Sequence, residues 1–155
     1  MSNLLSRRRI LKGLVAATAL MAIPFKAFAR NAEAFKAKNM DAALASLFNG
    51  AQIQPSDRID LNVPEIAEDG RVVNVKVSTD LPGLQTVTLM VEANPNPLTA
   101  RFRFHEGMQP EITTRIKMGG SSNVHAIVET SEGIFSTMKE VKVTLGGCGG
   151  SSDRR

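Results

Sequence analysis

The chain has 155 residues and one cysteine, so an internal disulfide is excluded and the length suits one ordinary domain. The formal charge of +4 comes from 19 basic and 15 acidic residues, but five of the bases and none of the acids lie within residues 1–29. Without that segment, 14 bases stand against 15 acids, so charge gives no argument for nucleic-acid binding.

Residues 1–29 are predicted to be a twin-arginine signal peptide. Arg7 and Arg8 precede an apolar run of about 11 residues, Gly13 to Ile23, which is shorter than the roughly 20 residues of a membrane-spanning helix. No membrane anchor is therefore predicted. The small residues of Ala27-Phe28-Ala29 follow, so we expect cleavage after Ala29 and export to the periplasm. A general secretory signal is the alternative.

Residues Ala32 to Asn49 are predicted to form one helix. Apolar side chains recur there at the helical period, and Gly50 suits the C-cap position. The members of this apolar stripe are Phe35, Met40, Leu44, Leu47, Phe48 and Ala51. Such a stripe packs against another surface, and the sequence leaves open whether that surface is a sheet edge or a partner subunit.

From Ile59 onward, apolar residues alternate with polar ones, as in strands that are buried on one face. Seven short runs show this alternation: 59–63, 73–77, 87–93, 101–105, 112–118, 124–128 and 141–145. Turn-forming residues separate the runs, and no helical stretch lies between them. The pattern predicts an all-β domain over residues 30–145, an immunoglobulin-like antiparallel sandwich of about seven strands preceded by one helix.

Residues 146–155 contain no apolar side chain apart from Cys148. The cysteine is flanked by Gly146, Gly147, Gly149 and Gly150. Nothing in this composition offsets the entropy of ordering a chain, so we expect a flexible arm that leaves the last strand and ends in a short polar tail.

Cys148 is the residue on which the chemistry of this chain is expected to depend. A free cysteine is usually buried, but glycines cannot build a core around it, and an unused thiol is a hazard in an oxidising compartment. Glycine leaves both approaches to the sulfur open and allows positive φ, so the arm is able to thread a narrow opening. A covalent carrier is favoured over a catalyst, because no histidine base lies near Cys148 in the sequence.

The other polar candidates are assigned surface or structural roles. His105 and His125 lie on predicted strands without a carboxylate cluster, so neither a metal site nor a cofactor is predicted. Glu65, Glu68 and Asp69 flank a turn and are expected to face solvent. The Asn-Pro-Asn-Pro segment at 94–97 is predicted to be a loop.

The twin-arginine signal, the helix, the all-β domain and the segment Gly146–Gly150 together resemble the SoxY family, the sulfur-carrier subunits of the bacterial thiosulfate-oxidising Sox system. The resemblance covers the whole chain, and Gly146–Gly150 is its most specific part. It implies that thiosulfate-derived intermediates stay covalently bound to the cysteine matching Cys148. It also implies a carrier that is not an enzyme and holds no cofactor.

The resemblance further implies a second immunoglobulin-like subunit, SoxZ, as a heterodimer partner. Three client enzymes are implied: a haem enzyme that attaches thiosulfate, a hydrolase that releases sulfate, and a sulfane dehydrogenase. The tail from Ser151 to Arg155 departs from the family, whose members typically end near the second glycine pair. Two classes compete with the carrier. One is an interaction subunit that dimerises through a Cys148 disulfide, and the other is a thiol redox enzyme, which the lack of a second cysteine disfavours.

Overall fold

The computed structural model of the protein describes residues 32–144. Within this range two short helices, α1 (Ala32–Lys36) and α2 (Met40–Phe48), precede the strands. The strands are β1 (Ile53–Pro55), β2 (Ile59–Asn62), β3 (Ile66–Ala67), β4 (Val73–Thr79), β5 (Leu84–Val91), β6 (Leu98–Arg103), β7 (Glu111–Ile116), β8 (Ser122–Thr130) and β9 (Ile134–Val143). Neither helix in the described range is long and apolar enough to span a membrane.

The strands form two sheets, which confirms the predicted all-β sandwich. The larger sheet has the order β1-β9-β8-β5-β6, with β3 also paired to β9, and the smaller sheet has the order β2-β4-β7. The long strand pairs are antiparallel, whereas the short strands β1 and β3 run parallel to β9. Each of the seven alternating runs overlaps a strand, and β1 and β3 are two strands that the alternation did not predict.

One edge of the sandwich is built by a segment that changes sheets twice. Residues 53–67 contribute β1 to the larger sheet, then β2 to the smaller sheet, and then β3 to the larger sheet again. β1 pairs with residues 134–136 of β9, and β3 pairs with residues 142–143. Between them, residues 137–141 of β9 pair with β8 on one side and with no described strand on the other.

The main core lies between the two sheets and is built largely from the alternating positions. On β4, for example, Val73, Val75 and Val77 are buried while Asn74 and Lys76 are exposed. Fully burying one such side chain contributes about 1.5–3 kcal/mol. A slip of one residue would turn the whole apolar set outward, so the alternation fixes the register of the strand.

The two helices pack on the outer face of the larger sheet and form a second, smaller core. In this core Ala34, Ala43 and Phe48 of the helices join Met90, Leu98 and Ile127 of the sheet. The partly buried side chains around it include Phe35, Met40, Leu44 and Leu47. The predicted apolar stripe, apart from the exposed Ala51, is therefore packed against the protein's own sheet.

The helix predicted over residues 32–49 is broken before Met40. Asn39 has an extended backbone (φ −146°, ψ 165°), and its side chain accepts a hydrogen bond from the Ala42 amide at 2.8 Å, which caps α2. This side-chain hydrogen bond favours a break in the helix, because it gives the Ala42 amide a partner in the first turn of α2, where the amides have no partner within the helix. At the other end the left-handed C-cap is Asn49 (φ 50°), so the prediction that Gly50 holds this position was wrong by one residue.

The largest difference from the predicted strands is at β9, which starts at Ile134, well before the predicted run 141–145. Residues 134–140 are all half-buried or exposed, so they lack the alternation that marks a strand in the sequence. A smaller difference concerns β6, which ends at Arg103. The prediction that His105 lies on this strand was therefore wrong, because His105 lies in the loop that follows it.

Candidate functional site

The predicted site residues lie outside the described range. They are Cys148 with Gly146, Gly147, Gly149 and Gly150, and the described chain ends at residue 144. The structure therefore shows how the chain is held just before the predicted arm. We call Val143 and Thr144 the arm root, because Thr144 precedes Cys148 by four residues.

On one side the arm root is held by β3. The Lys142 amide donates a hydrogen bond to the Glu65 carbonyl at 2.9 Å, and the Thr144 amide donates to the Ala67 carbonyl at 3.0 Å. These bonds extend the larger sheet to the last described residue. β3 has only two residues, so no periodic signal in the sequence could have found it.

On the other side the arm root is held by a serine side chain. Ser121 immediately precedes β8, whose pairing with β9 ends where Ser122 faces Val141. The Ser121 hydroxyl accepts a hydrogen bond from the Val143 amide at 2.9 Å and lies 3.4 Å from the Val143 carbonyl oxygen, to which it donates. The Ser121 side chain thus takes the place of the next main-chain hydrogen bond between β8 and β9. The backbone of β9 is therefore hydrogen-bonded on both edges at the arm root.

A glycine closes the same end of the sandwich. The Gly70 carbonyl accepts a hydrogen bond from the Met118 amide at 2.7 Å. A Cβ added at Gly70 would lie 2.5 Å from the Met118 carbonyl oxygen and 2.9 Å from Cγ1 of Val143, closer than real Cβ contacts. Only glycine allows this approach, so Gly70 packs the loop after β3 directly against the arm root.

The charged residues of this loop face solvent. Glu65 and Glu68 are exposed, as predicted. The Arg71 guanidinium donates to Asp69 at 2.8 Å, and this hydrogen bond holds the pKa of the Asp69 carboxyl below its ordinary value. The pair is largely exposed, so its contribution to stability is small.

The Asn-Pro-Asn-Pro segment is a loop, as predicted, and its two asparagine side chains join parts of the fold. Asn94 donates to the Lys117 carbonyl at 2.8 Å and accepts from the Gly119 amide at 2.9 Å. Asn96 donates to the Ala37 carbonyl at 3.2 Å. The loop therefore connects the turn before β8 with the segment between the two helices, a role that the sequence did not reveal.

The two histidines have separate surroundings. His105 is exposed, and its amide lies 3.3 Å from the Met108 sulfur. His125 lies on β8, where its Nε2 is 2.6 Å from a Glu92 carboxylate oxygen. Among residues 32–144 no group of three histidine, cysteine, aspartate or glutamate side chains is placed to hold a metal ion.

The described part of the molecule is thus an all-β sandwich with a short helical segment on one sheet and a C-terminal strand held firmly on both edges. The chain belongs to the SoxY family: the family model described as "Sulfur oxidation protein SoxY" matches residues 44–148. A comparison with curated protein sequences finds no significant match.

A solved structure agrees with this assignment, and others share the fold. The chain is similar to the sulfur carrier protein SoxY from Chlorobium limicola f thiosulfatophilum, with 35% sequence identity and a TM-score of 0.61. That match covers 68% of this chain and 96% of the other. Superoxide reductase (neelaredoxin) from Ignicoccus hospitalis shares the fold at 20% identity and a TM-score of 0.51, over 56% of this chain and 80% of that one. A variant of the same reductase matches at 19% identity and a TM-score of 0.51, over 68% of this chain and 93% of that one.

Proposed function

We propose that this protein is a sulfur carrier that holds thiosulfate-derived intermediates covalently on Cys148 and presents them to the enzymes that modify them. The observation that carries the proposal is the SoxY family match, whose last residue is Cys148. The Chlorobium limicola relative, described as a sulfur carrier protein, supports the same role. In this proposal the protein is a substrate-carrying subunit and not itself an enzyme.

The described structure supports a division between a fixed body and a reaching segment. β9 is hydrogen-bonded on both edges at the arm root, so the body does not unravel when the following residues are pulled. Four residues from Thr144 to Cys148 span at most about 14 Å. That length brings the thiol into a pocket of another protein while the sandwich stays outside.

The proposed attachment step is an oxidation. The Cys148 thiolate and thiosulfate form a sulfur–sulfur bond, and the two electrons released pass to the haem enzyme that catalyses the step. The product is a cysteine S-thiosulfonate. The thiolate is the reacting form of cysteine, so the proton of the thiol leaves before the bond forms.

The proposed release steps regenerate the thiol. Water attacks the terminal sulfone sulfur, the bond to the inner sulfur breaks, sulfate leaves, and the electron pair stays on the inner sulfur as a persulfide. A sulfane dehydrogenase then removes six electrons while water supplies three oxygen atoms, which gives a cysteine S-sulfonate. A second hydrolysis releases sulfate and frees Cys148.

We propose a β-sandwich subunit of the SoxZ type as the stable partner. Two surfaces are candidates for this contact, the stripe of the helical segment and an edge of the sandwich. The stripe packs largely against the protein's own sheet, so a sandwich edge is the surface we now favour. Purification from native cells as a stable monomer without a partner would contradict the proposal.

The carrier role is tested on the mature chain with its native partner. Tetrathionate converts a thiolate to the S-thiosulfonate and releases thiosulfate, so it loads Cys148 without the haem enzyme. Mass spectrometry is expected to show the adduct on Cys148, and the native sulfate-releasing hydrolase is expected to discharge it. Cys148→Ser should take up no sulfur while its melting temperature is unchanged. Native protein found only as a Cys148 disulfide dimer would favour the competing interaction subunit instead.

The glycines beside Cys148 are proposed to keep access to the sulfur open. Gly147→Val and Gly149→Val place branched side chains next to the thiol, so we expect slower discharge by the hydrolase with unchanged loading by tetrathionate. The readout is sulfate released per minute from equally loaded protein. Equal rates in both variants and the wild type would remove the steric argument.

Export through the twin-arginine route is proposed for this chain together with its partner. A signal that exports folded proteins suits a subunit that assembles with a signal-less partner before crossing the membrane. Replacing Arg7 and Arg8 with lysine should leave both proteins in the cytoplasm, as judged by cell fractionation and blotting. A partner that still reaches the periplasm would contradict joint export and leave the carrier role untouched.

A further inference from the structure

We propose that the outer face of the larger sheet carries a binding site for a soft monovalent metal ion, Cu(I), with His125 and Met138 as its ligands. Glu92 is the residue that orients the His125 ring. The site lies on the body of the domain and does not require Cys148, so it goes beyond the carrier function.

The two ligands stand side by side on neighbouring strands. His125 of β8 faces Met138 of β9 in the antiparallel register. The Val143 amide points towards β8, where it donates to Ser121, and main-chain groups alternate along a strand, so the main chain of Met138 points away from β8. His125 and Met138 therefore form a non-hydrogen-bonded pair, in which the two Cβ atoms lie about 4.5–5.5 Å apart on the same face of the sheet.

The surface that both side chains share is open. His125 and Met138 line one groove of about 680 Å³ at the end of β1. Met138 is 59% exposed, whereas Ile127, which precedes the groove on the same face of β8, is buried beneath the helices. Asp57 lines the groove as well, and its negative charge favours a cation there.

The Glu92 carboxylate fixes the state of the His125 ring. Its Oε1 lies 2.6 Å from Nε2 of His125, and an ionised carboxylate only accepts, so Nε2 holds the proton and Nδ1 holds the lone pair of the neutral ring. The Asn123 side chain donates to the other carboxylate oxygen at 3.2 Å and holds Glu92 in place. A carboxylate on the far nitrogen is the usual partner of a metal-binding histidine, because it orients the ring and makes the free nitrogen more basic.

The two donor atoms select the metal. A thioether is a soft ligand that favours Cu(I), and imidazole binds copper well. Zinc and the hard cations require more ligands, and among residues 32–144 no group of three histidine, cysteine, aspartate or glutamate side chains is placed to supply them. Cu(I) accepts a low coordination number, and the flexible methionine side chain lets the sulfur adapt to the ion.

The experiment uses the full mature chain with its partner subunit, after Cys148 has been alkylated with iodoacetamide so that its thiol does not compete for the metal. Cu(I), kept reduced with ascorbate under nitrogen, is titrated against the chelator bicinchoninate, and the Cu(I) that the protein takes is read from the absorbance. Glu92→Gln is expected to weaken binding about 10–100-fold, the usual effect of losing such a carboxylate. Met138→Leu keeps the volume of the side chain and removes the sulfur, so it is expected to weaken binding at least as much.

A second exposed methionine supplies the matched control. Met108 is 53% exposed in the loop after β6, where its sulfur lies 3.3 Å from the His105 amide, and Met108→Leu should bind Cu(I) as the wild type does. Nitrogen chemical shifts of the His125 ring give a readout that a merely structural role of Glu92 would not move. They should place the proton on Nε2 in the wild type and show a mixture of tautomers in Glu92→Gln.

Three outcomes would overturn the proposal. The first is a Met138→Leu protein that binds Cu(I) as tightly as Met108→Leu does. The second is Zn²⁺ binding as tight as that of Cu(I), which would contradict the assigned class of metal. The third is binding to the isolated chain but not to the complex, which would show that the partner subunit covers this face. The carrier role is untouched by each of them, because Cys148 is blocked throughout.

Discussion

The Ser121 hydroxyl accepts a hydrogen bond from the Val143 amide at 2.9 Å, so the last described residues of β9 depend on one side chain for a bond that the main chain of β8 no longer supplies. Ser121→Ala is expected to lower the free energy of unfolding by about 1 kcal/mol, the usual net value of such a bond. Protection of the Val143 amide from hydrogen exchange should fall as well. Ser136→Ala, near the start of the same strand, is the control, and equal protection in both variants would contradict the assignment.

Gly70 gives a second test of the arm root. Gly70→Ala forces a methyl group against the Met118 carbonyl and the Val143 side chain, so it should destabilise the protein by about 1–3 kcal/mol. Gly120→Ala, in the neighbouring turn with open space around it, should change stability by less than about 0.5 kcal/mol. The measurement is the melting temperature of each variant, compared with that of the wild type. Similar melting temperatures would mean that the loop after β3 moves away from Val143 at little cost.

The ion pair between Arg101 and Glu129 bridges β6 and β8 across β5. An Arg101 guanidinium nitrogen lies 2.5 and 2.8 Å from the two carboxylate oxygens, and the side chains are only 22% and 20% exposed. Glu129→Gln leaves a partly buried guanidinium without its counter-charge, so we expect a loss of about 1–3 kcal/mol in urea denaturation. Asp69→Asn, which removes the charge partner of the more exposed Arg71, should cost less, because solvent screens that pair. A larger loss of stability in Asp69→Asn than in Glu129→Gln would show that burial does not determine how much these ion pairs contribute to stability.

The Asp69 carboxyl gives a prediction about pH. The hydrogen bond from Arg71 lowers the pKa of Asp69 below its ordinary value of 3.8. The folded pKa is below the unfolded one, so the stabilisation is present above the unfolded pKa and is lost as pH falls through the folded pKa. In an NMR titration the Asp69 midpoint should lie below 3.8 and rise towards it in Arg71→Gln. An unchanged midpoint in that variant would contradict the stated cause.

The predictable parts of the fold are the elements in which the polarity of each residue indicates whether that residue is buried or exposed. On β4 the buried valines alternate with exposed polar residues, and the stripe with Phe48 recurs at the helical period. Both patterns arise because one face of the element is buried and the other is not. Such patterns require several residues, so they identify long elements and leave short ones undetected.

The parts that were missed depend on contacts with distant segments. β1 and β3 are short strands that exist because β9 offers them main-chain partners, and β9 itself begins with residues that have no buried face. The break before α2 depends on the Asn39 side chain, which accepts a local hydrogen bond from the Ala42 amide. Cys148 is predicted from composition and stays a prediction, whereas the contacts of Ser121 and Gly70 with Val143 follow only from the tertiary arrangement.

The placement of β9 has a mechanical consequence. A pull on the C-terminal segment, as when a client protein withdraws, acts along β9 and away from the body of the domain. Because β9 runs alongside β8 on one edge and beside β1 and β3 on the other, this force shears many hydrogen bonds at once and does not peel them apart in turn. Tension applied at Thr144 is therefore carried by the hydrogen bonds on both edges of β9, to β3 and β1 on one edge and to β8 on the other.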